Sequence, residues 1–206
     1  MSRPRPYQTL IFRSLHAGQG SLAILGVLTG YWLLNTWDPH LSHLPLPTAP
    51  NRVIDLHDDI GGLFTGALGL FVIYSVWAGR RRLVQSKSLK QLAKVGKPIW
   101  WYTLHRIVNT SLLLLGGLVV ISGEALDDDA MVQGISSDWA YGLHVFAWLG
   151  IVVLTVLHVL LSLKVGGIPL LRSVVSVKVR PKDWPKYWPQ RLWNWLFSLN
   201  TRCSKP

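Results

Sequence analysis

The chain alternates four long apolar stretches with short polar ones. The apolar stretches run roughly from Ser14 to Thr36, His57 to Trp77, Trp100 to Ser122 and Trp139 to Lys164. Each approaches the ~20 residues that a helix needs to cross the hydrocarbon core of a bilayer. Helix is the only open-chain solution there, because backbone polar groups in lipid must be satisfied within the segment. Trp32, Trp37, Trp77, Trp100, Trp101 and Trp139 fall at the segment ends, where aromatic belts meet the headgroups. The pattern predicts an all-α fold, a four-helix transmembrane bundle.

Composition agrees: half of the residues are apolar and only 15% are charged. A net charge of +11 would suggest nucleic acid in a soluble protein. Here the positive charge is confined to particular connections, so no nucleic-acid partner is expected, and membrane lipids are. The N-terminal arm carries Arg3, Arg5 and Arg13. The connection from Arg80 to Lys97 carries seven Lys and Arg and no acid, and the tail sets eight against the single Asp183. The other two connections are acidic, with Asp38, Asp55, Asp58 and Asp59 in one and Glu124, Asp127, Asp128, Asp129 and Asp138 in the other. The positive-inside rule then places both termini and the middle connection in the cytoplasm.

The first apolar stretch follows arginines, as in a signal peptide. It ends in bulky TGYWLLNTWDP without a small-residue cleavage site, and reads as an uncleaved first span. The proline-rich stretch with Pro39, Pro45, Pro47 and Pro50 reads as an ordered cap. The tail mixes Trp, Leu and Phe with Lys and Arg, and reads as an interfacial segment or a docking surface for a partner. The division expected is residues 1–165 as the membrane domain and 166–206 as a basic, Trp-rich tail. Cys203 is the single cysteine, so a CxxCH haem attachment and an intramolecular disulfide are both unsupported.

The chemistry lies in the histidines. His144 and His158 share the fourth apolar stretch, fourteen residues apart. At ~100° and ~1.5 Å per residue they fall within roughly 40° of one helix face and about 21 Å apart along the axis. Ionisable residues inside hydrocarbon are functional candidates. Neutral imidazole is a standard haem ligand, and bonding a neighbouring helix is the plainer alternative. Depth pairs His16 with His158 near the cytoplasmic side and His57 with His144 near the outer side, enough for two stacked bis-histidine haems. Small residues would let a flat porphyrin approach: Gly18, Gly20, Ala23, Gly26 and Gly30 after His16, and Gly61, Gly62, Gly66, Ala67 and Gly69 after His57. Ordinary helix packing uses small residues as well. Arg13 and Arg106 are candidates for haem propionates. His105 competes for the inner haem, contacts a propionate or lines a quinone site. His40 and His43 read as solvated or capping residues.

The segments FRSLH and TGYW, LHDDIGG, LHRIVN and ISG, and GLH to LHVLLSL together resemble the prokaryotic cytochrome b561 family. That family includes the membrane cytochrome b subunits of formate dehydrogenases and nickel–iron hydrogenases. The resemblance spans about residues 12–180. It implies two non-covalent b haems, axial ligands His16, His57, His144 and His158 on the haem irons, and electron exchange with the quinone pool. Ala17 stands where the family often has tryptophan, and the Trp-rich tail has no counterpart. The function expected is transmembrane electron transfer by an integral protein of a cytoplasmic or other energy-converting membrane. A quinone oxidoreductase activity and a role as anchor for a partner redox subunit are open within that reading. A non-haem membrane protein whose histidines bind metal or carry protons is the remaining class.

Overall fold

The computed structural model describes residues 7–38, 40, 44–126, 137–190 and 193. Four helices in it are long and apolar enough to cross a membrane: α1 (Leu10–Trp37), α2 (Asn51–Trp77), α4 (Pro98–Glu124) and α5 (Ser137–Val175). A five-residue α3 (Ser88–Leu92) lies in the basic connection, and the described residues contain no strand. Arg3, Arg5, His43, Asp127, Asp128, Asp129, Cys203 and the rest of the tail at 191, 192 and 194–206 lie outside the described residues.

The helices outrun the apolar stretches at their polar ends. Thr9 caps α1 by accepting from the Phe12 amide, which satisfies one of the free N–H groups of the first turn. Pro98 opens α4, where its missing N–H costs nothing. α2 begins at Asn51, six residues before the apolar stretch, so His57 sits nearly two turns inside it. α5 continues past Lys164. Gly167 has φ 64° and ψ −171°, a conformation that side chains with a Cβ avoid. Pro169 follows, and the last segment to Val175 leaves the bundle axis at that break.

α1 packs chiefly on α2 and α4 on α5, while α2 meets α4 and α1 meets α5. Phe12 at the start of α1 lies 6.2 Å from Tyr74 at the end of α2, so the pair is antiparallel. One end of the bundle therefore gathers the start of α1, the basic connection and the tail; the other gathers the acidic connections. These are called the basic and acidic ends below. The inward stripe of α2 is Val53, Ile60, Phe64 and Leu68, and His57 falls in its register. The stripe of α5 includes Ala140, Ala147, Ile151 and Leu161, in register with His144 and His158. Ile24, Leu28, Leu63, Leu70, Ile73, Leu114 and Leu149 point outward and are exposed, as a lipid-facing surface requires.

The proline-rich stretch is held against α1. The Trp32 indole donates to the Pro47 carbonyl at 2.8 Å, and the Ala49 amide donates to Thr36 Oγ1 at 2.9 Å. His40 is exposed in a turn. At the basic end, buried Asp183 accepts from the Tyr7 hydroxyl at 2.7 Å and the Leu10 amide at 2.6 Å. Arg13 Nη2 donates to the Lys178 carbonyl at 3.0 Å, and the Arg180 amide to the Tyr7 hydroxyl at 3.1 Å. The described start of the tail is thus fastened to the first turn of α1. Asp183→Ala strands a buried N–H and a hydroxyl, so it should cost about 1–3 kcal/mol. A lower Tm in detergent and faster tryptic cleavage within 176–190 are the expected readings.

Candidate functional site

Two histidine pairs face each other across the bundle. At the acidic end, the rings of His57 on α2 and His144 on α5 have centres 6.2 Å apart and planes at 78°. At the basic end, the rings of His16 on α1 and His158 on α5 are 6.0 Å apart at 32°. Two imidazoles bonded at about 2 Å to opposite sides of one metal ion have ring centres roughly 6 Å apart. The pairs that depth predicts are therefore spaced for a bridging metal.

The neighbours also fix which ring nitrogen is free. Thr29 Oγ1 donates its hydrogen to the Leu25 carbonyl at 2.9 Å, so at 2.8 Å from His57 Nδ1 it acts as acceptor. Ser122 Oγ donates to the Leu118 carbonyl at 2.7 Å and accepts from His144 Nδ1 at 3.2 Å. Asn109 Nδ2 donates to the Arg82 carbonyl at 3.0 Å, which turns Oδ1 to His158 Nδ1 at 2.8 Å. In all three rings the proton belongs on Nδ1, and Nε2 keeps its lone pair for a metal. His16 is placed by packing, with Phe12 at 5.3 Å and Phe71 edge-on at 6.1 Å.

A cavity of about 540 Å³ opens between the rings at the acidic end, lined in part by Ala23, Gly26, Gly61, Gly62 and Trp148. That size suits a cofactor. Of the small residues singled out in the sequence, Gly18, Gly20, Gly66 and Gly69 do not line it. Gly30 does something different. A Cβ there would meet His57 Cε1 at 3.2 Å, and one at Gly123 would meet His144 Cε1 at 3.2 Å. Each acidic-end imidazole thus rests on a glycine and bonds the hydroxyl just before it: Thr29–Gly30 from α1, Ser122–Gly123 from α4. These dipeptides lie inside the TGYW and ISG motifs. The motifs were visible in the sequence, but nothing there showed that their hydroxyls reach the rings.

Three further groups cluster at the basic end. His105 lies 5.1 Å from His158, closer than a shared metal allows, and its Nε2 is 3.1 Å from Ser162 Oγ. Arg13 is buried, and its Nε and Nη1 have no hydrogen-bond partner. Those orphaned donors fit an acidic group of a bound cofactor. Arg106 points elsewhere, donating through Nε to the Arg81 carbonyl at 3.1 Å. Sequence reasoning counted Arg82 only as loop charge. The structure stacks its guanidinium 3.8 Å over the Phe12 ring, beside His16, and ties it to Gln8. Burial lowers its pKa from the usual guanidinium value and Tyr74 pulls it back; it remains a cation at neutral pH.

The model of one family, described as prokaryotic cytochrome b561, matches residues 7–176. The chain belongs to that family. Comparison with curated proteins and with solved structures returned no match. As a cytochrome b561-family member with four spanning helices, the chain is an integral, multi-pass membrane protein, and haem b is the cofactor its family implies. The paired imidazoles, the free Nε2 atoms, the cavity and the orphaned Arg13 donors fit that cofactor.

In this cytochrome b561-family chain, Thr29→Val and Ser122→Ala should each weaken cofactor binding at the acidic-end pair by roughly 10–100-fold. Haem retained per polypeptide through detergent dilution measures it. Retention equal to the unaltered protein in both variants would remove these hydroxyls from the site.

Proposed function

We propose that this protein is a di-haem b-type cytochrome that carries electrons across the bilayer and exchanges them with the quinone pool. The observation that carries the reading is the spacing of the two imidazole pairs, 6.2 and 6.0 Å between ring centres, at opposite ends of one helix. Bound non-covalently, two b haems supply one-electron exchange between ferric and ferrous iron. His57 with His144, and His16 with His158, would hold them. Both pairs draw one ligand from α5, so a single rigid helix sets the distance and the relative tilt of the two sites. Bis-histidine ligation leaves no open coordination position.

The charged connections support the orientation with both termini in the cytoplasm, which makes the basic end the inner one. Arg13 is then the propionate partner there, with Arg82 beside it. His105, next to His158 and bonded to Ser162, is placed to exchange a proton with a quinone at the inner surface or to hold a propionate. Arg106, braced on the Arg81 carbonyl, is left with a supporting part. The division into a haem domain over 1–165 and an interfacial tail over 166–206 belongs to the same proposal.

One observation favours an added role as anchor for a partner redox subunit. Lys87, Lys90, Lys94 and Lys97 are all exposed on the basic connection, a cationic face suited to an acidic partner. Co-purification of a redox protein, lost at high salt, is the expected result. A bare-metal site has less support: among the described residues no three His, Cys, Asp or Glu side chains converge as one.

A reduced-minus-oxidised spectrum with haem quantitation tests the main reading. Two b haems per chain are expected. His57→Ala and His158→Ala should each remove one and leave the other. Colourless protein after expression with haem supplied would end the proposal.

A further inference from the structure

His158 is held differently from the other hydrogen-bonded histidines. His57 and His144 bond hydroxyls whose own hydrogens return to the backbone of the same helix. His158 bonds an amide that reaches out of its helix. Asn109 sits on α4 between two residues that brace the connection after α2: Arg106 Nε donates to the Arg81 carbonyl at 3.1 Å, and Thr110 Oγ1 accepts from the Val84 amide at 3.0 Å. Asn109 Nδ2 makes the middle contact, to the Arg82 carbonyl at 3.0 Å, while Oδ1 takes the His158 proton at 2.8 Å. The amide is clamped at both ends and cannot rotate without losing two bonds.

From this clamp we infer that Asn109 is a positioning residue that sets the reduction potential of the haem at the basic end, acting through His158 Nδ1. The inference rests on the di-haem reading above. An acceptor on Nδ1–H moves electron density into the ring and makes Nε2 a stronger donor to iron. A stronger donor stabilises ferric over ferrous iron, and so lowers the potential. The 2.8 Å contact at His158 equals that at His57; what sets it apart is an acceptor fixed from outside by the turn at 80–84. The haem at the acidic end has no link to Asn109.

The test is a potentiometric titration of the full chain in detergent, followed by visible absorbance and electron paramagnetic resonance. The ligand planes differ, 78° at the acidic end and 32° at the basic end, so the two low-spin ferric signals are expected to separate and identify which haem moves. Asn109→Leu removes the acceptor and should shift that haem about tenfold toward ferrous, roughly 59 mV upward for a one-electron couple. Asn109→Asp offers a stronger acceptor and should shift it toward ferric. Opposite signs confined to the basic-end haem support the inference, because loosened packing would not reverse with the substituent. The same support comes if Asn109→Leu sheds only that haem while Asn109→Asp keeps both. Shifts of one sign, shifts of both haems together, or no shift overturn it while leaving two haems per chain intact. A wild-type protein without haem instead takes down the reading on which it rests.

Discussion

One constraint governs the centre of this bundle: an imidazole in the apolar interior of a membrane protein needs a partner for its N–H. Water is not there to serve it, and an unmet polar group in that setting costs several kcal/mol. Three of the four paired histidines give Nδ1–H to a neighbouring helix, to Thr29, Ser122 and Asn109. Each acceptor has its own hydrogen or amide face already committed. The outcome is three rings held through Nδ1, with Nε2 left for a cofactor. Preorganisation of this kind lowers the cost of ligation, since the rings lose little further freedom when they bind.

The two ends of the molecule solve the same problem with different chemistry. The acidic end repeats one device on two helices, a hydroxyl residue followed by a glycine that lets the ring lie against the backbone. Asp58 and Glu124 line the cavity there. The basic end has aromatic packing around His16, a clamped amide behind His158, and the guanidinium groups of Arg13 and Arg82 close by. Carboxylates near a redox centre favour its oxidised, more positive form, and cations favour the reduced one. Under the di-haem reading proposed above, the contrast in charge between the two ends polarises the two sites in opposite senses.

The tail and the basic connection are structural parts of the basic end rather than appendages. Asp183 stitches the tail to the first turn of α1, at Leu10, within one turn of Arg13 and two of His16. The turn at 80–84 lies on α4 beside the residue that holds His158. The basic connection is therefore two hydrogen bonds from His158.

The sequence alone determined the four spans and the family. Those features follow from local rules: a run of apolar residues long enough for the bilayer, fourteen residues between His144 and His158, charge segregated by connection. It placed the helix ends less well, because polar residues such as Asn51 and Arg52 join a helix at the headgroup level without changing its apolar run. It also treated Thr29, Ser122, Asn109, Arg82 and Asp183 as ordinary, and it grouped all glycines near the histidines as one signal. Only the tertiary structure separated Gly30 and Gly123, which touch the rings, from Gly18 and Gly20, which do not. Hydrogen bonds between helices depend on rotation and register, and no spacing within one helix encodes the angle of its neighbour.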